Sequence, residues 1–201
     1  MKKITVLLLM AVLLSTSAAF AAEGFPLTLA GITLGQDVSK YSSCCNMEFA
    51  SPMPDAPFLS EAHLKADLVS GIRGGSLTYA NCNEVGKLAR IKFKFHDRSQ
   101  KLFDKLVKKY TAAFGEADSY QGDTFKNVIA WQWDFAKGDE TVTLLLMWSR
   151  EKDLRPGVSI KMTLSSLVDS EYVCFKKKFD RLEKSKGGSS KIKALSDFIP
   201  Q

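Results

Sequence analysis

The sequence predicts an α+β fold in which helices pack on one face of an antiparallel β-sheet, and two observations predict it. From Asp97 to Leu164, an amphipathic helical pattern is followed by three runs of alternating apolar and polar residues joined by polar turns. A further alternating run precedes this region and a second helical stripe follows it. Helices and half-apolar sheets each have a face to bury, so we expect them to pack together. The elements also fall into two similarly ordered halves, roughly residues 25–97 and 98–184, without a recurring residue pattern.

The first half opens with weak signals and ends with a clear strand. Phe25 to Leu34 is predicted as short extended structure, and Ser51 to Pro57 as a loop, because its three prolines lack backbone donors. Ser60 to Val69 fits a short helix or an irregular segment, and Ser76 to Ala80 fits a strand. The run from Leu88 to His96 alternates most clearly. Its inward side holds Ala89, Ile91, Phe93 and Phe95, and its outward side holds Arg90, Lys92, Lys94 and His96.

The central helix has predicted caps at both ends. Asp97 is predicted to cap its start, with Gln100 completing a variant capping box. Gly115 suits the left-handed position that follows a helix end. Apolar residues three or four apart form one stripe: Leu102, Phe103, Leu106, Val107, Tyr110, Ala113 and Phe114. Lysines occupy the other side: Lys101, Lys105, Lys108 and Lys109.

Three predicted strands follow the central helix and carry all three tryptophans. Their apolar positions are Ile129, Trp131, Trp133 and Phe135, then Val142, Leu144, Leu146 and Trp148, then Val158, Ile160, Met162 and Leu164. The middle strand is predicted to be central, because Leu145 and Met147 make its second side partly apolar. The tryptophans are interpreted as core residues, the alternative being a platform that stacks on a ligand. A second helix is predicted from Val168 to Lys184.

The N-terminal residues predict export. Lys2 and Lys3 precede an apolar run from Ile4 to Leu14, and Ala19-Phe20-Ala21 supplies small residues for cleavage after Ala21. We therefore expect a bacterial signal peptide at 1–21, one domain at 22–184, and a linker and tail at 185–201. Loss of Lys2 and Lys3 lowers the formal net charge from +6 to +4. The mature protein is expected in the periplasm or outside the cell, with no lipid anchor and no membrane span.

The four cysteines, Cys44, Cys45, Cys82 and Cys174, predict disulfides in an exported chain. Four cysteines allow three pairings. A bridge between the adjacent Cys44 and Cys45 ranks last because it closes a very small ring. The expectation is that Cys44 and Cys45 each pair with a distant partner, one with Cys82 and the other with Cys174.

The sequence favours no enzymatic chemistry. Only two histidines, His63 and His96, are available as a general base, and no serine stands in a nucleophile motif. No glycine-rich phosphate loop occurs, and we expect no cofactor and no bound metal. The alternative is a metal- or thiol-handling protein that uses Cys44 and Cys45, with Met47 and Met53 as soft ligands for a cuprous ion.

Basic residues supply the one collective surface feature. Arg90, Lys92 and Lys94 follow one strand side, and Lys101, Lys105 and Lys108 follow the next helix. Merged into one patch, they would contact another protein or an anionic component of the cell envelope. The alternative is an ordinary lysine-rich surface. Nucleic acid is not expected as a partner, because export removes it and no nucleic-acid motif occurs.

Two short segments carry a family resemblance. The first is Gly31-Ile32-Thr33-Leu34-Gly35 with Val38, and the second is Phe114-Gly115-Glu116-Ala117 before Trp131-Gln132-Trp133. They resemble segments of the outer-membrane assembly lipoproteins of the SmpA/OmlA type and of the β-lactamase-inhibitor-protein fold. The resemblance implies helices on an antiparallel sheet and a protein that works by binding another protein. This chain lacks the lipid-attachment cysteine of the first group, and the resemblance implies no particular binding residues.

Overall fold

The computed structural model describes residues 24–65, 69–151 and 157–185. Within them, one eight-stranded antiparallel sheet, a separate two-stranded hairpin and two α-helices confirm the predicted α+β class. The expected signal peptide, its cleavage site and the tail from 186 to 201 lie outside the described residues. No helix among the described residues has the length and apolarity needed to cross a bilayer.

The first half contains more strand than the sequence patterns predicted. Its strands are β1 Thr28–Leu29, β2 Ile32–Thr33, β3 Ser51–Met53, β4 Ala56–His63, β5 Ile72–Ala80 and β6 Leu88–Phe95. The predicted loop at 51–57 is therefore wrong, since β3 and the start of β4 lie there. The predicted helical or irregular segment at 60–69 is wrong for the residues that belong to β4. Short 3-10 turns, Val38–Tyr41 and Met47–Phe49, lie between β2 and β3. Proline is tolerated at Pro52 because β3 is an edge strand.

The second half follows its sequence pattern closely. Its elements are α1 Gln100–Phe114, β7 Ser119–Tyr120, β8 Val128–Lys137, β9 Glu140–Ser149, β10 Gly157–Leu164 and α2 Ser165–Ser185. The predicted cap on α1 is wrong by two residues. Ser99 accepts a hydrogen bond from the backbone N–H of Leu102 at 3.2 Å, while Asp97 accepts one from Ser99 at 2.8 Å. Asp97 thus stabilises the turn that leads into the cap.

The large sheet has the strand order β3-β4-β5-β6-β10-β9-β8-β7. All neighbours are antiparallel, and the contact between β6 and β10 joins the two halves of the chain. β9 lies between β10 and β8, as its apolar second side predicted. The idea that the two halves are structurally similar stays a prediction.

One side of the sheet forms the main core. A row of directly paired apolar residues crosses it from Leu77 through Ile91, Met162 and Leu144 to Trp133, and all of them are buried. α1 covers this side, where Tyr110 contacts the ring of Trp133 and Phe114 contacts Phe135. Burial of one such large side chain contributes about 1.5–3 kcal/mol.

The three tryptophans are part of this packing. Trp133 is buried, while Trp131 and Trp148 are partly buried and pack on the core. The indole N–H of Trp133 donates to the carbonyl oxygen of Gly115 at 3.0 Å, and that of Trp148 donates to Arg98 at 3.0 Å. Paired in this way, the indoles join the sheet to both ends of α1, which confirms their interpretation as core residues.

The second helix begins on the opposite side of the sheet. Thr143 points away from the apolar face because its neighbours Val142 and Leu144 point into it. The Thr143 hydroxyl lies 3.0 Å from that of Ser165, at the start of α2. Val168 and Asp169 in the next turn line a depression with residues of the same sheet side. The predicted arrangement of helices on one face is therefore wrong for the start of α2, since Leu164 ends β10 and the chain turns to the other side.

Candidate functional site

The side of the sheet that faces away from α1 is polar, and we call it the polar sheet face. It is formed by the alternate residues of the central strands: Glu61 and His63, Ser76 and Thr78, Arg90, Lys92 and Lys94, Ser159, Lys161 and Thr163, and Thr143, Leu145 and Met147. Antiparallel sheets commonly bury one face and solvate the other. The outward direction predicted for Arg90, Lys92 and Lys94 follows from this alternation.

Register brings the basic residues of two strands together on the polar sheet face. Lys92 of β6 lies directly opposite Lys161 of β10, and Arg90 lies directly opposite Thr163. Side chains in directly opposed positions have Cβ atoms roughly 4.5–5.5 Å apart, and like charges at such positions repel each other. Two ammonium groups and a guanidinium group therefore share a small area in the middle of the sheet.

These side chains surround a depression of about 260 Å³, which we call the basic depression. Its lining residues are Met53, Glu61, Arg90, Lys92, Leu145, Met147, Ser159 and Lys161. Three lining side chains are cationic and one is a carboxylate. Leu145 and Met147 of β9, together with Met53 of β3, give the depression apolar walls.

Arg90 is fixed by a hydrogen bond inside the basic depression. Its Nε donates to the hydroxyl oxygen of Thr163 at 3.2 Å. Burial lowers the pKa of Arg90 from its ordinary value, and the nearby carboxylate of Glu61 acts in the opposite direction. A guanidinium group stays charged at neutral pH even after such a shift, so Arg90 holds a partly desolvated positive charge against the sheet.

A buried hydroxyl lies in the same row of the polar sheet face. Thr78 stands between Glu61 and Arg90 in the strand register and is 1% exposed. Within the described residues, its Oγ1 atom has no hydrogen-bond partner. Buried polar atoms are nearly always hydrogen-bonded. The Thr78 hydroxyl is an exception, and its donor and acceptor are both unused beside the cationic cluster.

The structure divides the basic residues that the sequence grouped into one patch. Arg90 and Lys92 line the basic depression, and Lys94 is exposed further along the same strand. Lys101, Lys105 and Lys108 are exposed on α1, which covers the other side of the sheet. The strand cluster and the helix lysines therefore form two separate surfaces. Sequence reasoning missed Lys161, whose outward position was readable but whose partner Lys92 depends on the strand register.

The predicted disulfide pairing is wrong. Cys82 pairs with Cys174, with Cα atoms 6.0 Å apart and a sequence separation of 92, whereas Cys44 and Cys45 are free thiols. The reason is that α2 passes the β5–β6 loop that carries Cys82. Cys45 is buried, and this burial, followed by the effect of Cys44, raises the pKa of its thiol to about 11, while Lys65 acts in the opposite direction.

The remaining sequence candidates stay apart from one another. His63 and His96 are both exposed, and His63 lies opposite Ser76 at the margin of the polar sheet face. Across residues 24–65, 69–151 and 157–185, no three His, Cys, Asp or Glu side chains come close enough to hold a metal ion. A cuprous site would need Met47 and Met53 together with the two thiols, and this alternative stays a prediction.

A larger groove of about 580 Å³ runs beside α2. Its lining residues are Asn83, Asp169, Ser170, Val173, Cys174, Lys177, Lys178 and Arg181. One of its cations is already used, because Lys178 Nζ donates to the carbonyl oxygen of Cys82 at 3.2 Å. The groove is an open flank of the helix, so we consider the smaller basic depression the better candidate site.

Comparison with known proteins gives no relative from which residue roles could be taken. No family model, no curated protein and no solved structure matches this chain. The resemblance to SmpA/OmlA-type lipoproteins and to the β-lactamase-inhibitor-protein fold stays a prediction.

Proposed function

We propose that this chain is an exported, non-catalytic binding protein of the bacterial periplasm. It binds an anionic partner, a protein or a component of the envelope, through the polar sheet face. The observation that carries the proposal is the convergence of Arg90, Lys92 and Lys161 around the basic depression. The exported location rests on the signal-peptide pattern of the sequence.

The basic depression suits binding because its charges are held on a rigid element. Each cation is attached to a central strand of the sheet, so a bound partner would not have to order a loop first. Lys92 and Lys161 lie directly opposite each other, so a single anion can approach both positive charges.

Partner capture with matched charge-reversal variants tests the proposal. Wild-type protein, a Lys92→Glu/Lys161→Glu double variant and a Lys105→Glu/Lys108→Glu control are immobilised, and bound periplasmic material is quantified. We expect the control to retain the partner and the strand variant to lose it. Equal recovery by all three proteins, or hydrolytic or redox turnover by the pure wild-type protein, would contradict the proposal. Capture that disappears with added salt identifies an exposed, charge-driven contact.

A second candidate function uses the two free thiols. Cys44 is partly exposed and Cys45 is buried next to it, so the chain has adjacent thiols that the disulfide does not use. The raised pKa of Cys45 keeps its thiol protonated at neutral pH, which makes it a poor nucleophile. Any thiol exchange would therefore begin at Cys44.

Alkylation without reduction tests the second candidate. The native protein is treated with iodoacetamide at pH 8 and its peptides are analysed by mass spectrometry. The thiol-handling function requires rapid labelling of Cys44, with slower labelling of Cys45. Protection of Cys44, equal to that of the disulfide-bonded Cys82, would exclude it. A metal retained through purification would instead favour metal handling.

We also infer that the two halves are related by structural duplication. The order β3-β4-β5-β6 in one half mirrors β10-β9-β8-β7 in the other, about the β6–β10 pair. In each half, helical structure precedes these four strands: the 3-10 turns in the first half and α1 in the second. Superposition of the Cα atoms of the two sets of four strands tests this inference, which requires β3 to fall on β7 and β6 on β10. Any other best match would refute it.

A further inference from the structure

We propose that the basic depression recognises the carboxylate of an acidic side chain on an extended segment of a partner protein. This inference rests on the proposed function and makes it more specific. It names the ligand group, an Asp or Glu carboxylate, and the surface on which the partner backbone would lie, the polar sheet face.

The size of the basic depression favours a side chain over a whole small molecule. Typical small-ligand pockets have volumes of roughly 300–1,000 Å³, whereas this depression measures about 260 Å³. The exposed residues His63 and Lys94 also lie on the polar sheet face, along the strands that carry Glu61, Arg90 and Lys92. A segment that inserts one side chain would leave its backbone against these groups.

The walls of the depression match the two parts of a glutamate side chain. Leu145 and Met147 provide apolar contact for a methylene stem. Arg90, Lys92 and Lys161 provide the positive charge for a carboxylate. Arginine suits this task because its planar donors match the two oxygens of a carboxylate.

Glu61 shows that the cluster already interacts with a carboxylate. It lines the depression, and its charge favours the protonated form of Arg90. An incoming acidic side chain would compete with Glu61 for the same cations. Removal of the Glu61 charge should therefore strengthen binding, a result that a nonspecific surface attraction of distant lysines would not produce.

Thr78 lies in the same row of the polar sheet face but is not one of the residues that line the basic depression. It is buried one position from Arg90 and Glu61 along the row of the polar sheet face. Its Oγ1 atom lacks a partner within the described part of the chain. At 1% exposure this hydroxyl is not within reach of a partner's side chain, so the contacts for a carboxylate are the three cations of the depression.

The test uses the full mature protein and two short peptides, acetyl-Thr-Val-Glu-Val-Thr-amide and its glutamine counterpart, in titrations followed by ¹H–¹⁵N NMR. We expect the acidic peptide to shift the side-chain resonance of Arg90. The glutamine peptide should bind at least about tenfold more weakly, because it cannot form a charged hydrogen bond. Hexanoate, which has the carboxylate and stem but no peptide backbone, serves as the free-acid probe.

Three variants locate the site. Lys161→Gln should weaken binding of the acidic peptide by about tenfold or more, while Lys105→Gln, exposed on α1 at the other side of the sheet, should leave it unchanged. Glu61→Gln should strengthen it. Native-like spectra of each free variant confirm folding.

Three results would overturn the inference. These are equal binding of the acidic and glutamine peptides, equal loss in Lys105→Gln and Lys161→Gln, or hexanoate binding as tight as the peptide, which would assign the site to a free acid. Partner capture by the Lys92→Glu/Lys161→Glu variant is measured separately. If neither peptide binds the wild-type protein while the double variant still loses the partner, the binding function stands. That result refutes only the recognition of an acidic side chain.

Discussion

Glu171 shows how a single side chain can fix a loop. It is fully buried in α2, and its two carboxylate oxygens accept hydrogen bonds from the backbone N–H groups of Asn81, Cys82, Asn83 and Glu84. Buried charges are costly unless they are fully hydrogen-bonded. The four donors supply that compensation, so Glu171 acts as an internal ligand for the β5–β6 loop.

Substitution of Glu171 by glutamine should destabilise the protein strongly. The amide keeps the shape of the side chain, but its NH₂ group points at backbone donors and cannot accept from them. We expect the free energy of unfolding to fall by about 2–3 kcal/mol, measured by chemical denaturation. Asp169→Asn, an exposed carboxylate on the same helix, is the control and should change it by less than about 0.5 kcal/mol. Equal effects of the two substitutions would contradict this account.

Burial of the Cys45 side chain changes the acidity of its thiol. Its thiol has a pKa raised to about 11 from 9.0, mainly through burial. The folded state therefore holds the thiol proton more tightly than the unfolded chain does. The stabilisation that follows is complete below pH 9 and is lost as the pH rises toward 11. Adjacent cysteines in an exported sequence predicted bridges, but they could not reveal this environment.

At the scale of elements, the close pairing of β5 with β6 depends on glycine. A Cβ atom added to Gly75 would meet the carbonyl oxygen of Lys92 and the side chain of Leu64. The register of this strand pair also shifts between Ile72 and Gly74. β5 continues through Gly74 and Gly75, and the backbone packing at Gly75 leaves no space for a side chain.

Gly75→Ala should therefore loosen the strand pair that positions Lys92. The added methyl group forces the backbones apart, and we expect the free energy of unfolding to fall by about 1–3 kcal/mol. Thermal unfolding monitored by circular dichroism measures the loss. Gly24→Ala is the matched control, since no atom lies within 4 Å of its added Cβ. A Gly75→Ala variant as stable as the control would show that β5 can move away from β6 without cost.

The two helices differ in how well the sequence described them. The apolar stripe of α1 packs on the sheet as its spacing predicted, and the stripe side chains Tyr110 and Phe114 make ring contacts there. A stripe of apolar residues was also expected on α2, but three of its members are about half exposed: Tyr172 at 51%, Phe179 at 50% and Leu182 at 58%. The helix periodicity was correct in both, but the extent of burial depends on how far the sheet reaches beneath each helix.

At the scale of the whole molecule, the Cys82–Cys174 bridge connects elements that are distant in the chain. It ties the β5–β6 loop to α2 across 92 residues and acts beside the four hydrogen bonds of Glu171. A crosslink over a long loop restricts the unfolded chain, and native bridges typically contribute about 2–5 kcal/mol. The bridge and Glu171 thus hold α2 to the first half of the sheet.

Reduction should therefore lower the stability of the whole domain. We expect the free energy of unfolding in guanidinium chloride to fall by about 2–5 kcal/mol when a reductant is added. A Cys82→Ser/Cys174→Ser variant is the control, and its unfolding should not respond to the reductant. A response in that variant would mean that Cys44 and Cys45 are themselves bonded in solution.

The second half of the fold was largely predictable because its signals are local. Alternation along β8, β9 and β10 and the spacing in α1 depend on residues close in sequence, and the described elements match them. β3 and β4 were not predictable in the same way, because prolines and mixed polarity obscure their pattern. Their pairing comes from the neighbouring strand β5, a long-range contact that residue spacing does not report.

The sequence by itself determined the α+β class, the direction of each basic side chain on β6 and the core role of the tryptophans, because period and polarity act over a few residues. Only the tertiary structure decided that Lys92 faces Lys161, that the lysines of α1 lie on another surface, and that Cys82 pairs with Cys174. Each of these depends on strand register or helix placement. Such contacts join residues far apart in the chain, and their geometry is set by packing of the whole domain.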